Sequence, residues 1–318
     1  MKIIFMGTPQ FAVPSLEKLI SSGYEIAAVV TQPDRKSGRG YKLVAPPVKE
    51  LALQHDIPVL QFQKIKSPEG VAALKEAAPD MIVTAAFGQI LSKEILDIPH
   101  MGCLNVHASL LPKYRGAAPI QWAIMNGETY TGVTIMYMNE GLDTGDIINM
   151  AGVEIGEQTT GGELYNTLSE LGANLLIETI ASITGGTASR IKQDDSQSSY
   201  YPPLSRSLAE IDWRKTAKQI HDLVRALDPI MGCVSHIGGE KIKIWRTQAE
   251  EGRSKPGHIV AASSEEGLLV GTGDGLLRIL EMQAPGGKRM PATDYLRGKK
   301  LPGRRFDLYP DDDESEIR

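Results

Sequence analysis

The chain has 318 residues, 23% of them charged, with a formal net charge of −5. That length allows a substantial core in one large or two ordinary domains, and the composition is that of a soluble globular protein. No apolar run is long enough to span a bilayer, the opening residues lack an apolar leader with a cleavage site, and Cys103 and Cys233 form no metal-spacing motif, so a cytosolic protein without disulfides is expected.

In chain order, Lys2–Met6 reads as a strand and Val13–Ser21 as a helix, joined by the turn Gly7-Thr8-Pro9-Gln10-Phe11-Ala12. That turn is where a phosphate loop would lie, yet it lacks the spaced glycines of a dinucleotide fingerprint and the Lys-Ser/Thr of a Walker motif. A nucleotide site would therefore rest on fold analogy alone. Ile26–Val30 reads as a second strand, and the loop Thr31–Lys42 after it is long for a strand-to-helix connection. It carries Arg35, Lys36, Arg39 and Lys42 among glycines and reads as a flexible basic finger for phosphates that orders on binding; an ordinary solvated loop is the alternative. Helices follow at Val48–His55, Pro68–Ala77 and Pro119–Asn126, and strands at Met81–Ala86, Cys103–Val106 and Val133–Met138. Strands separated by helices imply right-handed crossovers and a parallel sheet covered on both faces. Sites in such sheets lie at the carboxyl ends of strands, where Gly7, Gly88, His107 and Asp143 fall.

The stretch around Asn105 and His107 carries the most chemistry. The two are two residues apart, so on a strand both side chains share one face. Asp143 closes the run Val133–Met138 and precedes a Thr-Gly turn. If the two strands are neighbours, an amide, an imidazole and a carboxylate converge. Asn can donate to a developing oxyanion, His can move or stabilise a proton, and Asp can fix the His tautomer. Alternatives remain open at this point. A lone His107 would read as a satisfied core histidine, Asp143 could be a turn residue, and Asp146 is a rival carboxylate. Cys103 shares the strand face by parity and is a second candidate nucleophile, or a buried small hydrophobe. The remaining histidines, His55, His100, His221, His236 and His258, have no ligand-like spacing, and no metal is expected.

Glu163–Ile183 reads as a long amphipathic helix with Thr159 or Thr160 as its cap. Residues 184–209, with Ser196-Gln197-Ser198-Ser199-Tyr200-Tyr201-Pro202-Pro203, have linker composition. Beyond them come a helix at Thr216–Ala226 and short strands at Cys233–Ile237, Lys241–Trp245, Gly257–Ala262, Gly267–Gly271 and Leu276–Met282, a pattern that suggests a small β-barrel. Residues 1–210 carry 16 Lys/Arg against 22 Asp/Glu, whereas residues 211–300 carry 15 against 11. The basic excess points to a polyanionic partner for the second region, with chance variation on solvated faces as the alternative. The end, Pro310–Glu316, reads as a disordered acidic tail.

Taken together, Asn105-x-His107, the loop Ser109-Leu110-Leu111-Pro112, Gly132-Val133-Thr134-Ile135 and Gly141-Leu142-Asp143-Thr144-Gly145 resemble the folate-dependent formyltransferase superfamily. Further matches are Phe5-Met6-Gly7-Thr8-Pro9, Gln32-Pro33-Asp34-Arg35, Leu111–Gln121, Ile211-Asp212-Trp213 and Gly273-Asp274-Gly275. The resemblance implies an α/β fold: a Rossmann-like formyl-transfer domain with a mostly parallel sheet over residues 1–189, a linker at 190–209, and a smaller OB-like β-barrel domain over 210–309, leaving the tail at 310–318. It implies 10-formyltetrahydrofolate as co-substrate, no metal, and the α-amino group of methionine esterified to initiator tRNA as acceptor, in a cytoplasmic monomer serving translation initiation. Carried onto this sequence, the catalytic residues are Asn105, His107 and Asp143. Ser109, Leu110, Leu111 and Pro112 would contact the folate, and Phe87, Gly88, Gln89, Ile90 and Leu91 would help enclose its pterin. The basic loop with Arg35, Lys36, Arg39 and Lys42 would meet the tRNA. One departure is Asp228-Pro229-Ile230-Met231-Gly232, where many members carry Asn-Pro-x-Pro-Gly. Rival readings are transfer to an amino sugar nucleotide, hydrolysis of formyl-folate, and RNA binding by a relic fold.

Overall fold

Runs of Ile, Val and Met make the buried strands, and short polar turns release the helices between them. In chain order the elements are β1 (Lys2–Gly7), α1 (Val13–Ser21), β2 (Glu25–Thr31), the short pair β3 (Arg35–Ser37) and β4 (Lys42–Val44), α2 (Pro47–Gln54), β5 (Val59–Gln61), α3 (Pro68–Ala77), β6 (Met81–Ala85), α4 (Lys93–Leu96), β7 (Cys103–His107), β8 (Arg115–Gly116), α5 (Pro119–Met125), β9 (Tyr130–Tyr137), β10 (Ile147–Glu154), α6 (Gly161–Thr184) and β11 (Tyr200–Tyr201). This computed structural model describes residues 1–37 and 42–308, with only the backbone described for Lys36, Ser37 and Lys42. Arg39 and the acidic tail at 310–318 lie outside the described residues.

The chain forms two compact units. The first takes residues 1–119, 130–154 and 165–202; the second takes 120–129, 155–164 and 203 onward. Two short segments from the first half of the chain thus pack with the second unit, while residues 190–202, of linker composition, pack with the first.

The first unit is built on a seven-stranded sheet in the order β10-β9-β7-β6-β1-β2-β5. β5, β2, β1, β6 and β7 are parallel. Expecting Val133–Met138 to continue the parallel run requires a correction. β9 is antiparallel to β7, with His107 opposite Thr134 and Leu104 opposite Tyr137, and β10 is antiparallel to β9. One face of the sheet buries Ile4, Met6, Ala28, Val30, Ile82 and Cys103 against Val71 and Leu74 of α3 and Ile95 of α4. Burial of each large apolar side chain of this kind is worth about 1.5–3 kcal/mol. On the other face, Gly172 of α6 lies so close to Val106 and Val133 that a Cβ there would sit 2.8 Å from Val106 Cγ1, so only glycine lets this helix approach. α3 begins as its sequence dictates, with Pro68 in the first turn and the Ser67 hydroxyl accepting from Gly70 N–H.

In the second unit, α7 (Ala217–Leu227) packs on an antiparallel sheet of β12 (Cys233–Ile237), β13 (Glu240–Glu250), β14 (Ile259–Ser263), β15 (Gly267–Gly271) and β16 (Leu276–Gln283), in the order β12-β13-β16-β15-β14. β17 (Met290–Pro291) adds to β16, and α8 (Ala292–Gly298) follows. Between the outer strands runs the segment 304–307. Arg304 C=O accepts from Ile259 N–H, Phe306 N–H donates to Gly257 C=O, and Asp307 N–H donates to His236 C=O, which closes the gap in the manner of a barrel. The core centres on Trp213, whose indole stacks on Phe306 at 5.1 Å and donates to Ser235 Oγ at 2.8 Å.

Residues 155–164 are held by α7. The buried Arg225 guanidinium donates to the carbonyls of Gly156 and Thr159 and to the buried Asp222 carboxylate. His221 Nε2 donates to Glu157 C=O at 3.0 Å, and its Nδ1 lies 3.0 Å from the Thr247 hydroxyl. Burial holds the His221 pKa below the ordinary histidine value. The folded-state pKa is therefore the lower one. The stability it contributes is whole above about pH 6.5 and is lost as pH falls from there through the folded pKa, because the unfolded chain takes up the proton first. We expect the melting midpoint to fall between about pH 7.5 and about pH 5.5, and to fall less in His221→Gln. An identical fall in both proteins would exclude this origin.

Candidate active site

The parallel strands deliver Asn105 and His107 to one face of β7, as their spacing requires. Asn105 Oδ1 accepts from the Thr84 hydroxyl at 2.8 Å. With its oxygen engaged inside the protein and no partner for its N–H groups among the described residues, the amide can offer both to a ligand. His107 is 6% exposed, and its Nε2 lies 2.9 Å from Tyr114 C=O. A carbonyl can only accept, so Nε2 carries a proton and Nδ1 is the nitrogen left to gain or lose one. Tyr114 thus fixes the tautomer, which sequence reasoning gave to Asp143.

Asp143 reaches His107 by a different route from the one the strand pattern suggests. Because β9 runs antiparallel, its carboxyl end lies beside the start of β7, and the loop of residues 138–146 must double back to bring Asp143 Oδ1 to 3.7 Å from His107 Nδ1. Its other oxygen accepts from Gly116 N–H at 2.9 Å. Gly116 can be nothing larger: its φ is +95°, and a Cβ would lie 2.5 Å from Tyr201 C=O. Asp143 itself has φ +53°, and Ala86, Tyr114 and Ala118 on the loops after β6 and β7 are likewise left-handed. Such residues cost on the order of 1–3 kcal/mol each and persist only where their surroundings over-determine them. Asp146 is turned elsewhere, toward Arg190 at 3.4 Å.

Cys103 shares the strand face with Asn105 and His107, as parity predicts, but sits in the core beneath them. Its thiol contacts Leu96 C=O at 3.8 Å, and burial pushes its pKa up to about 12. The reactive-thiol alternative is thereby corrected, since near neutral pH the group is a protonated thiol and not a nucleophile.

The other candidate residues divide into those that shape the site and those that face it. Ser109 is fully buried, with its hydroxyl donating to Lys113 C=O and its own carbonyl accepting from Thr134. Leu111 is buried with Met136 and Ile147, Leu110 lies against Gly132, and Leu111 joins Pro112 through a cis peptide bond. Phe87 and Leu91 are core residues, and Gln89 accepts from Ile65 N–H and donates to Phe62 C=O. Gly88 has φ +81°, while Ile90 is 70% exposed and Leu142, beside Asp143, 47%. Phe87 C=O is held in place by Thr8 Oγ1 and Gln32 Nε2. The basic loop is a two-stranded ribbon at its base, with Arg35 opposite Val44 and the backbones of Lys36 and Lys42 paired with Leu43 and Ser37. Its root is tied down by Asp34, which receives Lys49 Nζ and Gln61 Nε2 at 2.8 Å and whose carboxyl these bonds hold below the usual range.

Sequence reasoning missed the support beneath this trio. Thr84, the Tyr114 carbonyl and the segment 193–201 give no local signal, because the last is disguised by its linker composition. In the structure β11 pairs with β8, the Ser199 hydroxyl accepts from Tyr114 N–H, and the Tyr114 and Tyr201 rings stack at 5.0 Å. Among the described residues, no group of three or more His, Cys, Asp or Glu side chains could hold a metal ion, and no helix is long and apolar enough to cross a membrane.

Comparison with known proteins places this geometry. The family described as formyl transferase matches residues 1–180, and its C-terminal domain matches residues 203–300. Methionyl-tRNA formyltransferase of Ruminiclostridium cellulolyticum is 50% identical over 305 residues, covering 95% of this chain and 97% of that protein. The protein of the same name from Geobacter metallireducens is 49% identical over 307 residues, covering 96% and 98%. Among solved structures, the N-formyltransferase of Helicobacter canadensis with folinic acid and dTDP-3-aminofucose superposes with a TM-score of 0.66 at 23% identity, over 88% of this chain and 99% of that one. HypX of Aquifex aeolicus with tetrahydrofolic acid gives 0.63 at 20% identity, over 93% of this chain and 47% of that one. At these identities the structures speak for the fold.

Proposed function

The chain belongs to the formyl transferase family, and from that premise we propose that Asn105, His107 and Asp143 carry its reaction. The chain transfers the formyl group of 10-formyltetrahydrofolate to the α-amino group of methionine on initiator tRNA, for translation initiation in the cytoplasm. The observation that carries the site assignment is the convergence of an amide with two uncommitted N–H groups, an imidazole with one nitrogen locked, and a carboxylate at 3.7 Å from the other.

The co-substrate, when bound, supplies the formyl carbon and the nitrogen that leaves it. Residues of the loops that bear the site suit such a group: Ile90 and Leu142 are exposed apolar side chains that a flat ring can cover, and the Asn105 amide offers N–H donors for a carbonyl oxygen. Ser109–Pro112 and Phe87–Leu91 are assigned to it, the former as the floor and the latter as a loop held in place by Gln89. As the amine adds and negative charge gathers on the formyl oxygen, Asn105 and a protonated His107 Nδ1 donate to it. Asp143 balances the imidazolium and takes the proton leaving the amine, directly or through water, then returns it to the folate nitrogen as the carbonyl re-forms and the bond from that nitrogen to the formyl carbon breaks. Free α-amino groups titrate near about 8, and esterification of the carboxyl lowers this further, so the amine needs little activation. The working form is proposed to be a monomer.

Transfer of labelled formyl from 10-formyltetrahydrofolate tests the whole reading, with methionyl initiator tRNA, free methionine and an amino sugar nucleotide as acceptors. Label confined to the charged tRNA is expected. Label on the sugar, or formate released without an acceptor, would keep the catalytic trio but overturn the acceptor. We assign Arg35, Lys36, Arg39 and Lys42 to the tRNA. Arg39→Ala is expected to slow transfer severalfold at limiting tRNA and leave folate affinity unchanged, as loss of a phosphate-facing charge would; an unchanged rate would remove the basic loop from the tRNA site.

A further inference from the structure

One buried carboxamide joins the two loops that bear the catalytic groups. Gln193, 7% exposed, lies in the segment whose composition suggests a linker. Its Oε1 accepts from Arg115 Nε at 3.1 Å and from Arg115 Nη2 at 2.8 Å. Its Nε2 donates to Asp143 C=O at 2.8 Å and to Gly145 C=O at 2.7 Å. Both lone pairs and both protons of the amide are thus used. Arg115 is anchored in turn by Asp195 at 2.7 Å, and its backbone N–H donates to Ser199 C=O. Next to Arg115, Tyr114 holds His107 and Gly116 holds Asp143.

We propose that Gln193 is a positioning residue for the formyl-transfer site, locking the loop that carries Asp143 to the loop that orients His107. The inference rests on the assignment of Asp143 and His107 above. Two features single Gln193 out. Asp143 is left-handed, a conformation that an aspartate abandons unless its neighbours hold it, and Gln193 grips the carbonyl of that very residue and of the second residue beyond it, Gly145. The chemistry of the grip is also specific: a Glu side chain offers Arg115 its acceptors but cannot donate to two carbonyls, a Met offers neither, and an Asn is a methylene shorter. A catalytic carboxylate released by even 1 Å loses its alignment, and misplacements of that size cost about 10²-fold in rate.

The test is steady-state formyl transfer by Gln193→Glu and Gln193→Met, with Asp143→Ala measured beside them. Gln193→Glu keeps the anchor to Arg115 and loses the grip on residues 143–145. We expect its kcat to fall about 10²-fold, with KM for both substrates within about threefold and the protein still folded, its melting midpoint lowered by the several degrees that two stranded carbonyls imply; Gln193→Met should follow in kcat. A kcat within about threefold of the parent in both variants, or a change confined to KM, would overturn the proposal. So would unfolding of both, since Gln193 would then hold the fold and not the site. Full activity in Asp143→Ala would sink the catalytic assignment beneath it, whereas an inactive Asp143→Ala beside an active Gln193→Glu would sink the positioning role alone.

Discussion

His107→Ala is expected to lower the single-turnover rate of formyl transfer by about 10³-fold, within the range for loss of a positioned acid–base group, while charged tRNA and folate bind with near-parent affinity. His107 Nδ1 lies 3.7 Å from Asp143 Oδ1 and is the nitrogen assigned to donate to the formyl oxygen. The substitution also strands the Tyr114 carbonyl in a buried position, at a cost of about 1–3 kcal/mol. A companion His107→Gln, which can still donate to that carbonyl, separates the two effects. If His107→Gln folds as the parent does and is still slow, the chemistry resides in the ring. If either variant transfers formyl at the parent rate, His107 is a structural histidine.

The second large effect is expected at Asn105. Asn105→Ala should reduce kcat by about 10²–10³-fold, the loss seen when a single oxyanion donor is removed from other acyl-transfer sites. KM should change little, because the interaction strengthens only as charge develops. Asn105→Asp keeps the shape and removes both donors, and it places a carboxylate where negative charge must gather. It should be at least as slow, despite being the smaller change in volume. An Asn105→Asp variant more active than Asn105→Ala would mean that the amide serves packing, through its bond with Thr84, and not the reaction.

Much of the first unit was legible because period and punctuation agree. The predicted ranges Val13–Ser21 and Pro68–Ala77 are the observed helices, since each begins at a proline-bearing first turn and presents one apolar face. The buried strands β1, β2, β6 and β7 read as continuous apolar runs, as strands covered on both faces do. Direction was not legible. Nothing in Val133–Met138 says that β9 reverses, since antiparallel and parallel core strands have the same composition. β10 was missed because Ile-Ile-Asn-Met-Ala-Gly-Val-Glu does not alternate apolar with polar residues although its burial alternates, and Gly152 interrupts it. In the site, Asn105 and His107 could be paired from strand parity, and Asp143 from its glycine-rich turn. Their supports could not: Tyr114 acts through its carbonyl, which no side-chain pattern encodes, and Gln193 contacts residues about fifty to eighty positions away.

The sharing of residues 120–129 and 155–164 with the second unit has a consequence for synthesis on the ribosome. These segments emerge long before the helix that secures them. At translation speeds of 5–20 residues per second, the roughly 60 residues separating Leu164 from Leu227 correspond to a delay on the order of 3–12 s. Throughout that interval the carbonyls of Gly156 and Thr159 await Arg225. A gene cut at residue 189 would accordingly encode a first piece lacking residues 190–202 of its own unit and a second lacking residues 120–129 and 155–164 of its own.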